Sequence, residues 1–221
     1  MSEKTEPAGT APKPRPIAPA LARVINALNL VSADADIEQI ELELRKDTAL
    51  SLRLFQYIHS AGLALSTPVR TYRQAVMVIG YKPLYRWLSL LMLNAEREPT
   101  KLKLARDAAI RGRFMELVGR EQLQRSKPDD LFVTGMFSLV HELFGHPLPM
   151  LLETIQLPED IQKALLSRQG IYGPLLNLAE AVEQGNQAEA DRLIEELLLD
   201  PDATAAAHSA AIDWVKQLGI G

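Results

Sequence analysis

Residues 71–93 read TYRQAVMVIGYKPLYRWLSLLML. Thr71 is followed three residues later by Gln74, the spacing of a capping box in which side chains satisfy the first free N–H groups of a helix. Ala75, Val76, Val78 and Ile79 then give a short helix its apolar side, and Gly80 ends it. Pro83 suits the first turn of a second helix, which runs through Trp87 and Leu91. A helix-turn-helix reader of DNA usually spaces its Ala and its turn Gly four apart, whereas Ala75 and Gly80 are five apart. Val76, Val78, Ile79, Leu84, Trp87, Leu88 and Leu91 also leave little polar surface for a recognition helix. The segment therefore reads as a pair of core-packing helices.

The same helical period extends in both directions. Upstream, Leu21, Val24, Ile25 and Leu28 share one face, as do Ile37, Ile40 and Leu44, and Asp47 is placed to cap a third helix carrying Leu50, Leu54, Phe55 and Ile58 before Ser66-Thr67-Pro68 breaks the chain. Downstream, a long charged helix is expected over 100–123 with Leu102, Ile110, Phe114, Leu117 and Val118 inward. One helix is expected from Asp129 or Asp130 through Leu139 and Val140, ended by Gly145 and Pro147. Further helices start at Pro158, Pro174, Gln187 and Pro201, the last with a stripe of Ala203, Ala207, Ala210, Trp214 and Leu218. With no strand alternation, no βαβ rhythm and no internal repeat, the expected fold is an all-α multi-helix bundle.

The 221 residues suit one domain plus a small appendage, and 47% hydrophobic against 24% charged residues is ordinary for a globule with a sizeable core. Residues 1–16 carry Pro7, Pro12, Pro14 and Pro16 and no large apolar residue between Met1 and Ile17. They read as a disordered tail before a helical domain over 17–221. The tail has charge and proline where a signal peptide needs an apolar stretch, and no apolar run reaches bilayer length, so the expected address is the cytoplasm, without a membrane partner. The net charge of −4 does not call for a polyanion, and the absence of cysteine excludes disulfides, thiolate metal sites and cysteine nucleophiles. A local surplus of +5 over 101–127 faces seven acidic residues and one basic over 183–202. Such opposed runs point to charge complementarity within the chain or between subunits rather than to nucleic acid.

Catalytic signatures are sparse. There is no GxxxxGK[ST] phosphate loop and no GxSxG elbow. The stretch LVHELFGHPLP at 139–149 sets His141 beside Glu142, like the His-Asp doublet of metal-dependent phosphohydrolases. However, no histidine lies between His59 and His141, and Gly145 occupies the place of the second His in HExxH, with His146 one residue late. A catalytic or metal centre is not expected, nor a cofactor. The alternative is a phosphohydrolase of the HD type with an atypical ligand set around His141, Glu142 and His146.

Three segments, ELELRKDTALSLRLFQYIHSAGLALSTPVRTYRQAVMVIGYKPLYRWLSLLML at 41–93, DDLFVTGMFSLVHELFGHPLPMLLETIQLPEDIQKALL at 129–166 and GIYGPLLNLAEAVEQGNQAEADRLIEEL at 170–197, resemble the HDOD (HD-related output domain) family. The positions that carry the first resemblance are Asp47, Leu50, Leu54, Ser60, Gln74, Ala75 and Gly80, with His59 where the family usually has Asn. The other two segments are similar to the C-terminal half of bacterial proteins that join an EAL domain to an HDOD domain, and nothing in the 221 residues provides the EAL barrel. The resemblance implies an HD-like helical bundle and a non-catalytic output module in bacterial signal transduction, acting on signalling proteins or through a small ligand.

The polar cluster singled out for binding is Arg53, Gln56, His59 and Ser60 on the third helix, with Arg73 and Gln74 opening the next helix. Two guanidinium groups and an imidazole that titrates near neutral pH suit an anionic group or an acidic partner.

Overall fold

Helix ends follow their chemistry. The computed structural model describes residues 18–47, 50, 53, 54, 69, 71–93, 99–122 and 127–217. Residues 1–16, Phe55, Gln56, Ile58, His59, Ser60, the 66–68 break and Leu218 lie outside them. Among the described residues, twelve numbered helices and no strand occur: α1 (Pro19–Ser32), α2 (Ile37–Arg45), α3 (Tyr72–Ile79), α4 (Tyr81–Leu93), α5 (Pro99–Gln122), α6 (Pro128–Phe137), α7 (Val140–Phe144), α8 (Leu148–Thr154), α9 (Glu159–Ser167), α10 (Gly173–Glu183), α11 (Gln187–Glu196) and α12 (Pro201–Gln217). Thr71 Oγ1 accepts the Gln74 backbone N–H at 3.1 Å, and Gly80, at φ 78°, closes α3 where an L-residue with a Cβ would be strained. Asp47 Oδ1 accepts the Leu50 N–H at 3.0 Å, which is the cap read from the sequence. No described helix is long and apolar enough to cross a membrane.

The bundle is organised on α5, which at 24 residues is about 36 Å long. α6 lies along one side of it and α12 along another, while α1 packs on α4, and α10 bridges α5 to α11. Gly112 of α5 and Gly135 of α6 let those two backbones touch. A Cβ at Gly112 would stand 2.5 Å from the Phe132 carbonyl oxygen, and one at Gly135 would stand 2.6 Å from Gly112 Cα. A single apolar cluster then runs from Leu21 and Ile25 through Leu84, Phe114 and Phe132 to Val215. Asn29 fastens α1 to the chain after α8, donating to the Thr154 carbonyl at 2.9 Å and accepting the Gln156 N–H at 3.0 Å.

Four expectations are corrected. The helix expected from 129 to 144 is two: the Ser138 hydroxyl donates to the Gly135 carbonyl at 2.6 Å, and Leu139, at φ −105° and ψ 3°, starts α7 in a new direction. α8 was not expected, because LPMLLET has too few residues to show a period. The buried stripe of α12 is Thr204, Ala207, Ala211 and Val215, with Ala210 exposed and Trp214 at the edge. The charged helix expected over 100–123 is α5, but its buried side is wider than expected. Ala105, Ala108, Ala109, Arg111, Gly112, Met115, Glu116 and Gly119 are buried along with Phe114 and Val118, while Leu102, Ile110 and Leu117 are half-buried.

Candidate functional site

Of the polar cluster, Arg53, Arg73 and Gln74 are among the described residues. Arg53 is helical and exposed, and Arg73 and Gln74 lie on the exposed side of α3. Arg73 is engaged within the fold: its guanidinium pairs with Glu38 of α2 and stands 4.0 Å from Glu41. Glu41 also takes Arg45 at 2.6 Å. A backbone hydrogen bond, then Arg73, holds the Glu38 carboxyl below its usual range. Exposed pairs of this kind contribute little to stability. Their effect here is to neutralise the surface where α2 meets α3.

Ala75, Val76 and Ile79 point into the core as expected, but Val78 does not. Val78 is 45% exposed and Met77 70%, and Leu42 on α2 is 63% exposed. An eight-residue helix can bury only one narrow side, and α3 spends that side on positions 75, 76 and 79. Both helices joined by Arg73 and Glu38 thus offer large apolar side chains to solvent beside neutralised charges.

The doublet region is different. His141 Nε2 stands 3.8 Å from Glu142 Oε1, and both side chains are about half exposed. Gly145, left-handed at φ 66° and ψ 30°, donates to the His141 carbonyl at 2.9 Å and turns the chain so that His146 is buried. Nδ1 of His141 and Nδ1 of His146 are both buried without a partner. Among the described residues, no group of three or more His, Asp or Glu converges as metal ligands would.

Two charged centres sit inside the bundle, and neither is visible as such in the sequence. Glu116 is fully buried and takes Arg86 on both oxygens, at 2.7 and 2.6 Å, with Arg113 and Arg120 each at 2.7 Å. The Arg86 guanidinium lies 4.0 Å from the Phe132 ring centroid, and Arg113 lies 5.5 Å from that of Trp214. Burial pushes the Glu116 carboxyl up, but hydrogen bonds and charge from Arg86 and Arg113 outweigh it and hold it below the usual range. Arg111 reaches Glu183 at 2.7 Å, Glu180 at 3.1 Å and the Ser138 hydroxyl at 2.7 Å. Here the basic run does meet the first residue of the acidic run, inside the chain. Beside Arg111, an opening of about 120 Å³ is lined by Phe114, Ile212 and His208, whose imidazole burial pushes below its usual range.

Against known proteins, the model of the HDOD domain family matches residues 16–165. The chain is 24% identical over 186 residues to the uncharacterized protein YuxH of Bacillus subtilis, covering 83% of this chain and 45% of that protein. It is 25% identical over 185 residues to the cyclic di-GMP phosphodiesterase CdgJ of Vibrio cholerae, covering 84% of this chain and 43% of that one. The chain thus spans less than half the length of these curated relatives. No solved structure matches it.

Proposed function

The chain belongs to the HDOD family, and we propose from that premise that it is a regulatory output module of bacterial signal transduction, working in the cytoplasm by docking a signalling protein and performing no catalytic step of its own. The observation that carries this reading is the α2–α3 face, where Leu42, Met77 and Val78 stand exposed around the Arg73–Glu38 pair. Exposed large apolar groups next to neutralised charge are cheap to desolvate, which suits a protein partner better than a polyanion. The name of the Vibrio relative supports the signalling setting.

The test is co-purification from the native cell with wild type, with Met77→Asp/Leu42→Asp and with Arg53→Ala/Arg73→Ala, all checked for helix content by circular dichroism. The apolar pair is expected to abolish capture of the partner and the arginine pair to weaken it. If both variants fold and capture everything that wild type does, the face is not the docking site. The alternative, a phosphohydrolase centred on His141, Glu142 and His146, has in its favour two buried Nδ1 atoms without partners. A stoichiometric divalent ion in the purified protein, lost with His146→Ala, would establish it in place of the docking reading.

A further inference from the structure

On another part of the molecule, a cavity of about 290 Å³ opens between the C-terminal end of α1, the first turns of α4 and the N-terminus of α6. That is close to the lower limit of small-molecule sites, about 300 Å³. Tyr85 lines it. The side chain is only 8% exposed, and its hydroxyl is shut off from solvent with no hydrogen-bond partner. The Ser32 side chain lies close enough to act on the hydroxyl and partly offset the effect of burial, but it falls short of hydrogen-bond geometry. A buried phenol oxygen without a partner is unusual, because its desolvation is left uncompensated.

Asp130 lines the same cavity, half-buried, with the Tyr172 hydroxyl donating to one of its oxygens at 3.0 Å; among the described residues the other oxygen receives no hydrogen bond. Lys82, Lys127, Asp129 and Asp34 complete the charged lining, with Ser32 and Tyr81 beside them, and among the described residues none of these four charged groups forms a salt bridge. Several cations elsewhere on the surface do find carboxylates: Lys103 takes Asp107, Lys163 takes Glu159 and Arg192 takes Glu189. The cavity is where both signs of charge are left open together.

This donor set selects its occupant by elimination. Two lysines disfavour a bare metal cation, and three aspartates disfavour a simple anion. A molecule with both ends satisfies everything. We propose that the cavity binds a small zwitterion, its N–H-rich cationic head donating to the Asp130 carboxylate and, once the Tyr85 side chain turns its shielded oxygen towards the cavity, to that oxygen as well, and its anionic tail held by Lys82 and Lys127. The site is independent of the α2–α3 docking face, and either can fail without the other.

The experiment titrates the full chain, by calorimetry and by thermal melting, with γ-guanidinobutyrate, which has a guanidinium head and a carboxylate tail, and with L-arginine. n-Butylguanidinium (head without carboxylate) and butyrate (tail without head) are the one-ended controls. Saturable binding of a two-ended probe is expected, with each control at least about tenfold weaker. Asp130→Asn and Lys82→Ala/Lys127→Ala should each weaken binding by about tenfold or more, and Tyr85→Phe by about threefold to tenfold. Tyr85→Phe without probe should melt at the same temperature as wild type or higher, since it removes a buried group that has no partner. A lower melting temperature would show that the hydroxyl has a protein partner and would overturn the proposal. So would the absence of saturable millimolar binding by either two-ended probe, or binding that Tyr85→Phe and Asp130→Asn leave unchanged.

Discussion

Glu116 and Asp130 are two carboxylates taken out of water by the same bundle, and their surroundings treat them oppositely. Around Glu116 three arginines close the site, with four hydrogen bonds onto two oxygens. Around Asp130 there is a tyrosine hydroxyl, an open cavity and lysines that form no salt bridge among the described residues. Arg86 and Arg113 hold the first carboxyl below its usual range, while burial pushes the second above it. A charge whose valences are filled from within the chain is part of the scaffold. One that remains open is available to something from outside.

The largest effect that would break this contrast is expected at the closed site. Glu116→Ala leaves three guanidinium groups facing one another in a partly buried space and should cost about 3–5 kcal/mol in urea unfolding. A loss below about 1 kcal/mol would mean that the arginines find solvent and that the site is not closed.

Next in size is the backbone contact beneath it. Gly112→Ala puts a methyl group 2.5 Å from a carbonyl oxygen that belongs to a neighbouring helix, so α6 has to move, at about 1–3 kcal/mol net of the better helix propensity of alanine. The unfolding midpoint reads this directly, and an unchanged midpoint would show that α5 and α6 have slack.

The sharpest comparison, and the smallest in energy, is with pH. The folded-state pKa of Glu116 is lowered, so its contribution is present above the ordinary carboxylate range and is lost as pH falls through that range towards the lowered value. The folded-state pKa of Asp130 is raised, so its ionisation opposes folding at neutral pH, and that opposition disappears as pH falls through its range. Glu116→Gln should flatten the acid side of the stability curve below about pH 5. Asp130→Asn, which keeps an acceptor for Tyr172, should leave neutral-pH stability unchanged or raise it by up to about 1 kcal/mol. A clear destabilisation by Asp130→Asn would place Asp130 with Glu116, as scaffold.

Local signals were readable in the chain, and distant pairings were not. The Thr71 cap, the stop at Gly80, the Asp47 cap and the buried Ile79 each depend on residues a few positions apart, and the structure has all four. The interior of α5 escaped because what allows Arg111 and Glu116 to be buried lies far away in sequence. Arg86 is 30 residues from Glu116, and Glu183 is 72 from Arg111. Judged alone, those charges belong on a solvated face. Arg73 was legible as a helix-opening cation but not as the partner of Glu38, for the same reason. Tyr85 and Tyr172 were passed over because an aromatic residue at a core spacing reads as packing, and only coordinates reveal that one hydroxyl has a carboxylate and the other has nothing. The Arg-rich, Glu-containing run at 111–120 was the available signal for a buried ion cluster, since four such residues within ten positions cannot all face one stripe of solvent.

The contact of Gly112 with Gly135 also has a mechanical meaning. Most helix pairs are separated by side chains that can change rotamer and so act as bearings, letting one cylinder slip past the other. Here backbone meets backbone, with Phe132 and Met136 closing on Gly112 from the facing helix. Sliding along either axis brings those bulkier positions onto the main chain, so the two helices travel as one rigid strut. The pair therefore resists sliding, and a cross-link that staples α5 to α6 should leave the fold and its unfolding midpoint unchanged.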